Sequence, residues 1–328
     1  MKPFIVQLCY LLTRTASARG IIRGATLLLG TILTPLTLVA DERYDALYVM
    51  SNQSPVYITF KEAIENHQST SSSLRNTHLF VSIDHLQTAK LRELINNSRV
   101  IITLDQKSLH VVAALRIDKP HIATLITMEG YREVLSEQKV SRGKHCALVI
   151  DQPLPRIARV IRDRLPDVQL AGIIGNPKDS SGPIPDNSGQ QDPGLQIVRI
   201  PLGENIHSTI RALSQSGVDT IIARHNKMVY NRNTARNILI SSYHFNLPLI
   251  GYSSAFVKAG ALIGIYSTPE SMASDVLRLI KKTDRCHGGS IFHPSKYTVE
   301  VNPHVAKSLG INIDTSDLKQ TYQDRHRK

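Results

Sequence analysis

The chain has 328 residues, which exceeds the usual size of a single hydrophobic core and predicts two domains. Its formal net charge is +12, but Lys and Arg are spread along the chain, which predicts a solvated basic surface. Two more specific explanations of that charge stay open, namely capture of an anionic ligand and attraction to a membrane surface. Trp is absent and no nucleic-acid-binding motif accompanies the charge, so no nucleic-acid partner is predicted.

Residues 1–40 have the pattern of an export signal. Four basic residues and no acidic ones lie before residue 40, and an apolar run over 25–40 follows them. That run contains Pro35 and is short for a membrane-spanning helix. We therefore predict a signal peptide over 1–40 and a periplasmic location for the folded part, with an uncleaved anchor as the alternative.

The first half of the chain alternates apolar strand patterns with helix patterns. Strands are predicted over 44–50, 77–83, 99–104 and 121–127, with helices over 85–96 and from 106 through 115. Strands separated by single helices predict a parallel sheet that is covered on both faces. The rhythm breaks over 131–150 and then resumes.

The second half repeats this arrangement. Strands are predicted over 168–175, 195–200, 219–223 and 247–252, with helices over 156–165, 205–215 and 233–245. Residues 176–194 are rich in Pro, Gly, Ser and Asn and predict a long loop, either a spacer or a lid.

The densest pattern lies over 230–270. A helix ends at Asn246, Pro248 prevents its continuation, and a strand buried on both faces follows. Five pieces of this stretch carry a resemblance to a known family: YN at 230–231, TAR at 234–236, PLIGYS at 248–253, AFVKAGAL at 255–262 and Tyr266. With them the stretch resembles the periplasmic substrate-binding proteins of ABC transporters, in the branch that includes tryptophan- and tyrosine-binding members.

The resemblance implies an α/β fold with two Rossmann-like lobes, each with a parallel sheet, in the type I periplasmic-binding-protein architecture. It also implies three crossings between the lobes, which we place near 143–150, 251–254 and 284–291. The predicted N-terminal lobe is 41–145 plus 253–287, and the C-terminal lobe is 146–252 plus 288–328. The strand over 261–266 and the helix over 270–282 then complete the first sheet, and the tail from 314 is predicted as a frayed helix.

Cys146 and Cys286 remain once Cys9 leaves with the signal. An oxidising compartment would let the two cysteines pair. Both fall near predicted crossings, however, where a disulfide would restrain opening, and we therefore expect two thiols. Cys286 and His287 lack a second ligand cluster, so neither a metal nor a cofactor is predicted.

Catalytic motifs are missing from the sequence. It has no dinucleotide fingerprint, phosphate-binding glycine loop, zinc-protease helix or nucleophile elbow. A Ser-His-Asp set could still assemble in space, because sequence spacing does not define a triad. The prediction is a protein that is not an enzyme.

Ligand-binding candidates follow the predicted strands, because ligands of open α/β sheets bind at the carboxyl ends of the strands. The candidates are Ser51, Asn52, Gln53, Asp105, Gln106, Asn176, Arg224, Tyr230, Ser253, Ser254 and Phe256. Each has a structural alternative as a helix cap, turn former or core residue.

Arg224 is the sharpest of these candidates, since it directly follows the apolar strand over 219–223. Its guanidinium could hold a ligand carboxylate with two hydrogen bonds, or it could pair with Asp219 or Glu204. At the end of the third strand the resemblance implies Gly-Thr, but Asp105 and Gln106 stand there. Amino-acid binding in the manner of the family is therefore not expected, although an amino-acid-like or anionic ligand stays open.

The predicted function is capture of a small molecule in an interlobe cleft and its delivery to an ABC permease by a monomeric protein. The alternative is a periplasmic ligand sensor that acts on a receptor kinase or an outer-membrane partner. An exported enzyme on this fold is disfavoured by the missing motifs.

Overall fold

The computed structural model describes residues 43–69, 77–140, 143–177, 182–183, 194–314 and 316–324. The predicted signal peptide over 1–40 and most of the predicted loop over 176–194 lie outside the described residues.

The described residues form fourteen strands. In chain order they are β1 (Tyr44–Met50), β2 (His78–Ser82), β3 (Ser98–Thr103), β4 (His121–Ile126), β5 (His145–Val149), β6 (Leu170–Gly175), β7 (Gly182–Pro183), β8 (Gln196–Pro201), β9 (Thr220–Ile222), β10 (Leu249–Gly251), β11 (Ile263–Tyr266), β12 (Ser290–Phe292), β13 (Lys296–Val301) and β14 (Lys319–Gln323).

Ten α-helices connect these strands. They are α1 (Pro55–Ser69), α2 (Thr88–Asn96), α3 (Gln106–Ala114), α4 (Met128–Glu137), α5 (Leu154–Arg164), α6 (Ile206–Gln215), α7 (Ala235–His244), α8 (Ser254–Ala259), α9 (Pro269–Ile280) and α10 (Pro303–Ser308).

The strands pair into two separate sheets. The first has six strands in the order β12-β5-β4-β3-β1-β2, and all its pairs are parallel. The second has eight strands in the order β14-β13-β11-β10-β9-β6-β8-β7, with β7, β13 and β14 antiparallel to their neighbours. The parallel parts confirm the predicted alternation of strands and helices.

Each sheet carries an apolar core on both faces, as buried parallel strands require. In the six-stranded sheet, Tyr48 and Ile102 face a core shared with α1 and α9, whereas Leu47 and Ile101 face α2 and α3. In the eight-stranded sheet, one core lies under α5 and α10 and the other under α6, α7 and α8. Both sheets are therefore closed to solvent except at their ends and edges.

The position of β11 corrects the predicted second crossing. β11 pairs with β10 and β13 in the eight-stranded sheet, so the prediction that 261–266 completes the first sheet was wrong. The reason is the short connection through α8, which returns the chain directly beside β10. A Cβ on Gly264 would lie 2.4 Å from Val257 Cγ2, which shows how closely α8 packs against β11.

The other two crossings also lie further along the chain than predicted. β5 and β12 both belong to the six-stranded sheet, where Ser290 pairs with Cys146. Strand membership therefore places the passages between the sheets at 150–153, 267–268 and 293–295. The helix predicted over 270–282 does pack against the first sheet, since α9 lies against α1.

Three further local predictions differ from the structure. The break predicted over 131–150 is not present, because α4 and β5 continue the rhythm there. Helix α1 was not predicted from the sequence. The tail predicted as a frayed helix forms β14, which pairs with β13 while Tyr322 stacks on Tyr297 at 5.4 Å between ring centroids.

Cys146 and Cys286 form a disulfide with Cα atoms 4.7 Å apart, so the expectation of two thiols was wrong. Both residues are buried in the core of the six-stranded sheet, together with α1 and α9. The bond therefore lies within one sheet and its helices and leaves the passages between the sheets unrestrained.

Hydrogen bonds tie the three passages to one another. Gln152 Nε2 donates to Ser267 Oγ at 3.0 Å, and Ser267 Oγ donates to the Lys296 carbonyl at 2.7 Å. The buried Arg156 donates to the Pro294 carbonyl at 2.8 Å and to Asp324 Oδ2 at 2.5 Å. These bonds connect the backbone segments on which the two sheets meet.

Candidate functional site

A pocket lies where the chain leaves β5 and where β9 and β10 end. It contains about 310 Å³ of empty space, counting the part that is open to solvent. Its lining residues are Asp151, Gln152, Ile157, Ile222, Ala223, Arg224, His225, Ile250, Gly251, Tyr252 and Ile265. The carboxyl ends of β9 and β10 are the positions at which an open α/β sheet binds ligands.

Of the eleven ligand-binding residues predicted from the sequence, Arg224 is the one that lines this pocket. Across the described residues, its guanidinium has neither a hydrogen-bond partner nor an ion-pair partner, and the pairing with Asp219 or Glu204 does not form. Asp219 instead accepts hydrogen bonds from the backbone N–H groups of Gln169 and Leu170 at 2.8 Å each. Burial, reinforced by the charge of Arg199, lowers the pKa of Arg224 against the opposing effect of Asp151.

Two aromatic rings of the pocket lining, those of His225 and Tyr252, pack together. The His225 and Tyr252 rings lie 4.0 Å apart, and Tyr252 lies 4.7 Å from the Phe256 ring. Burial lowers the pKa of His225, which favours the neutral imidazole at pH 7. Tyr252 was not among the predicted ligand-binding residues, although it is the last residue of the strand predicted over 247–252.

The exit from β5 supplies the acidic side of the pocket. Asp151 is buried, and its Oδ2 accepts a hydrogen bond from the Met128 N–H at 2.7 Å, at the first turn of α4. Its carbonyl accepts a hydrogen bond from His293 Nδ1 at 2.8 Å. Asp151 was not predicted, because 143–150 was interpreted as a crossing and not as a strand. An Asp directly after an apolar run was the available signal.

The candidates from the six-stranded sheet serve local structure. Asp105 caps α3 by accepting from the Ser108 N–H at 2.7 Å, and its other oxygen accepts from the Ser51 N–H at 2.8 Å. Asn52 Oδ1 accepts from the Ser54 N–H at 2.9 Å in the turn before α1, and Gln53 is exposed. These contacts support the cap and turn alternatives for Ser51, Asn52 and Asp105.

Gln106 takes part in a polar contact between helices that flank the six-stranded sheet and the segment that follows β9 in the eight-stranded sheet. Its Nε2 donates to Glu133 Oε2 at 2.8 Å, and Lys227 Nζ lies 2.7 Å and 2.8 Å from the two Glu133 oxygens. Glu133 belongs to α4, and Lys227 follows β9, so this contact spans the gap between the first and second halves. Hydrogen bonds from Lys227 and Gln106 lower the pKa of Glu133.

The remaining candidates do not line the pocket. Ser253 Oγ accepts from the Phe256 N–H at 3.2 Å and so caps α8. Ser254 Oγ donates to Glu300 Oε1 at 3.2 Å, and Asn176 Oδ1 accepts from Asn226 Nδ2 at 2.8 Å.

Phe256 and Tyr230 are buried in the core under α6, α7 and α8. The Tyr230 hydroxyl is buried without a hydrogen-bond partner. Gly251 allows this packing, because a Cβ there would lie 2.7 Å from the Phe256 Cβ.

No group of three or more His, Cys, Asp or Glu side chains in the described part of the chain is placed to hold a metal ion. None of the helices in the described ranges is both long enough and apolar enough to span a bilayer.

Comparison with known proteins identifies the fold. No protein-family model matches the sequence, and no curated protein matches it significantly. Among solved structures, the ligand-free, open form of a substrate-binding protein with adhesive properties from Clostridium difficile is 12% identical, with a TM-score of 0.55. The match covers 83% of this chain and 97% of that one. The chain therefore has the type I periplasmic-binding-protein fold that the sequence resemblance implied.

Two other similar structures have lower scores. An ABC domain in complex with L-Trp from Streptococcus pneumoniae is 15% identical, covers 84% of this chain and 97% of its own, and has a TM-score of 0.49. A leucine-, isoleucine-, valine-, threonine- and alanine-binding protein from Brucella ovis, in its closed conformation, is 10% identical. That match covers 82% and 76% of the two chains, with a TM-score of 0.43.

Proposed function

We propose that this chain is an exported solute-binding protein that captures a small molecule between two lobes and delivers it to an ABC permease. The first lobe comprises the six-stranded sheet with α1–α4 and α9, and the second comprises the eight-stranded sheet with the other helices. The pocket at the ends of β9 and β10, bordered by the passage after β5, carries this proposal. Its lining comes from the second lobe and from a passage between the lobes.

The mechanism is capture without chemistry. A ligand that contacts both lobes favours the closed arrangement, and a permease reads that arrangement. The hydrogen bonds that join the three passages supply a shared pivot, and the contact between Glu133 and Lys227 forms when the strand ends of the two lobes approach each other. The protein acts as a monomer in this proposal, and it is not an enzyme.

Export through the segment over 1–40 places the folded part in the periplasm. The disulfide between Cys146 and Cys286 supports this location, because such bonds form and persist in oxidising compartments. Residues 1–40 would then be absent from the working protein.

The proposal is tested by a ligand screen on the exported protein. Thermal-shift hits among amino acids, nucleosides, sugars and small organic acids are confirmed by isothermal titration calorimetry. A ligand that binds the native state alone stabilises it by about 3 kcal/mol at a hundredfold excess over its dissociation constant. A screen in which no class of compound binds would contradict the proposed function.

A further inference from the structure

The pocket contains polar donors that the protein itself leaves unused. In the part of the chain that the structure describes, the side chains of Arg224, His225 and Tyr252 have no hydrogen-bond partner, although all three line the pocket. Leaving a partly buried cation without a partner is costly, because its lost hydration is not replaced. A bound ligand that supplies the missing hydrogen-bond acceptor would offset this cost.

The single acid in the pocket lining does not neutralise Arg224. Asp151 lies beyond ion-pair distance, since the two side chains form no salt bridge, and one of its oxygens is already held by the Met128 N–H. Asp151 also repels a ligand that carries two negative charges. A singly charged anion is therefore favoured over a phosphate dianion.

Apart from Gln152, whose Nε2 donates to Ser267 Oγ, the rest of the lining is apolar. Ile157, Ile222, Ile250 and Ile265 face the same space, and all four are buried or nearly so. The rings of His225 and Tyr252 also line it and lie 4.0 Å apart. A compact apolar or aromatic body fits this lining better than a polyhydroxylated one, because buried hydroxyls would lack partners on the isoleucine side.

We propose that the pocket takes a small carboxylate with an apolar body, whose carboxylate is bound by the guanidinium of Arg224. The planar fork of the guanidinium matches a carboxylate with two parallel hydrogen bonds. The proposal rests on the proposed function, because it names the ligand class for the same pocket.

The test compares each carboxylate with its own amide. Calorimetry on the exported protein uses benzoate with benzamide, phenylacetate with phenylacetamide, and isovalerate with isovaleramide. At least one carboxylate should bind, and its amide should bind at least about tenfold more weakly, because a charge-assisted pair is lost. Arg224→Gln should weaken that carboxylate by a similar factor, whereas Arg236→Gln, on the exposed face of α7 in the same lobe, should not change it.

A second measurement separates ligand binding from a structural role. Without ligand, Arg224→Gln should melt at the wild-type temperature or above it, since an unpaired buried charge is removed. A marked fall in that melting temperature would overturn the inference.

Three other results would also overturn the inference. They are equal affinity for the acid and its amide, equal affinity of wild type and Arg224→Gln for the carboxylate, and no binding of any of the carboxylates. Binding of neutral compounds in the broader screen would then leave the proposed function standing, whereas an empty broad screen would remove both.

Discussion

At the scale of single residues, the structure separates side chains that hold the fold from those that face the pocket. Asp105 and Arg224 both follow strands and both were predicted as ligand contacts. Asp105 has its two oxygens occupied by backbone N–H groups, whereas Arg224 faces the pocket without a partner. Position at a strand end therefore does not by itself place a side chain in the pocket lining.

Asp105→Ala should therefore lower stability and leave the pocket intact. Loss of the α3 cap and of the Ser51 contact should cost about 1–2 kcal/mol of unfolding free energy. Urea unfolding measures this cost, and Asp118→Ala, at an exposed position in the same sheet's connections, serves as the control. An unchanged midpoint for Asp105→Ala, together with lost ligand affinity, would return Asp105 to the ligand site.

His121 should make the protein sensitive to acid. It is buried, its Nε2 lies 3.0 Å from Thr103 Oγ1, and burial, with a smaller contribution from His145, lowers its pKa to about 3. Below pH 6.5, His121 therefore binds a proton in the unfolded state but stays neutral in the folded state. Its contribution to stability is complete above pH 6.5 and is lost as the pH falls from there toward 3.

Between pH 6.5 and pH 4, the unfolding free energy of His121→Gln should fall less steeply with pH than that of the wild type. The difference in slope should be up to roughly 1 kcal/mol per pH unit. Urea unfolding at several pH values measures the slope, and the exposed His304→Gln is the control. The comparison holds even where His121→Gln lowers stability at pH 7, because the slope is measured and not the intercept. Identical slopes for wild type and His121→Gln would show that His121 is protonated in the folded state.

At the scale of elements, the disulfide fastens β5 to the segment that precedes β12. The two cysteines are separated by 140 residues in sequence, so the bond closes a loop that contains β6 to β11 of the eight-stranded sheet, whereas β13 and β14 lie outside the loop. Its removal should lower the unfolding free energy by about 2–5 kcal/mol. The bond leaves the passages free, so it should not affect ligand affinity.

Reductant tests this effect directly. Dithiothreitol should lower the melting temperature of the wild-type protein, and a Cys146→Ala, Cys286→Ala double variant should melt lower in both the presence and the absence of reductant. A mass consistent with two free thiols in the exported protein, or a wild-type melting temperature unaffected by reductant, would contradict the bond.

At the scale of the whole molecule, local pattern predicted the elements and the resemblance predicted the architecture, but neither located the passages between the lobes. Whether a strand such as β11 joins one sheet or the other depends on which edge the preceding connection can reach. The edge that a connection reaches depends on packing and not on sequence periodicity. In this chain, Gly264 lets β11 lie against α8 beside β10, because it leaves room for Val257. The pocket wall at Asp151 was missed for the same reason, since its position follows from where β5 ends.

The position of Arg224 in the pocket lining was predictable because its signal is local: a cation placed directly after a buried strand. The pairing of Cys146 with Cys286 was not, because it depends on β12 returning beside β5 after 140 residues.

The central claim is that two lobes close on a small molecule bound at the strand ends. Small-angle X-ray scattering of the exported protein, without ligand and at saturation with a ligand from the calorimetric screen, tests it most directly. We expect the radius of gyration to fall on saturation as the lobes close, and no such change with a non-binding compound at the same concentration. A radius of gyration that stays the same at full saturation would contradict closure between two lobes.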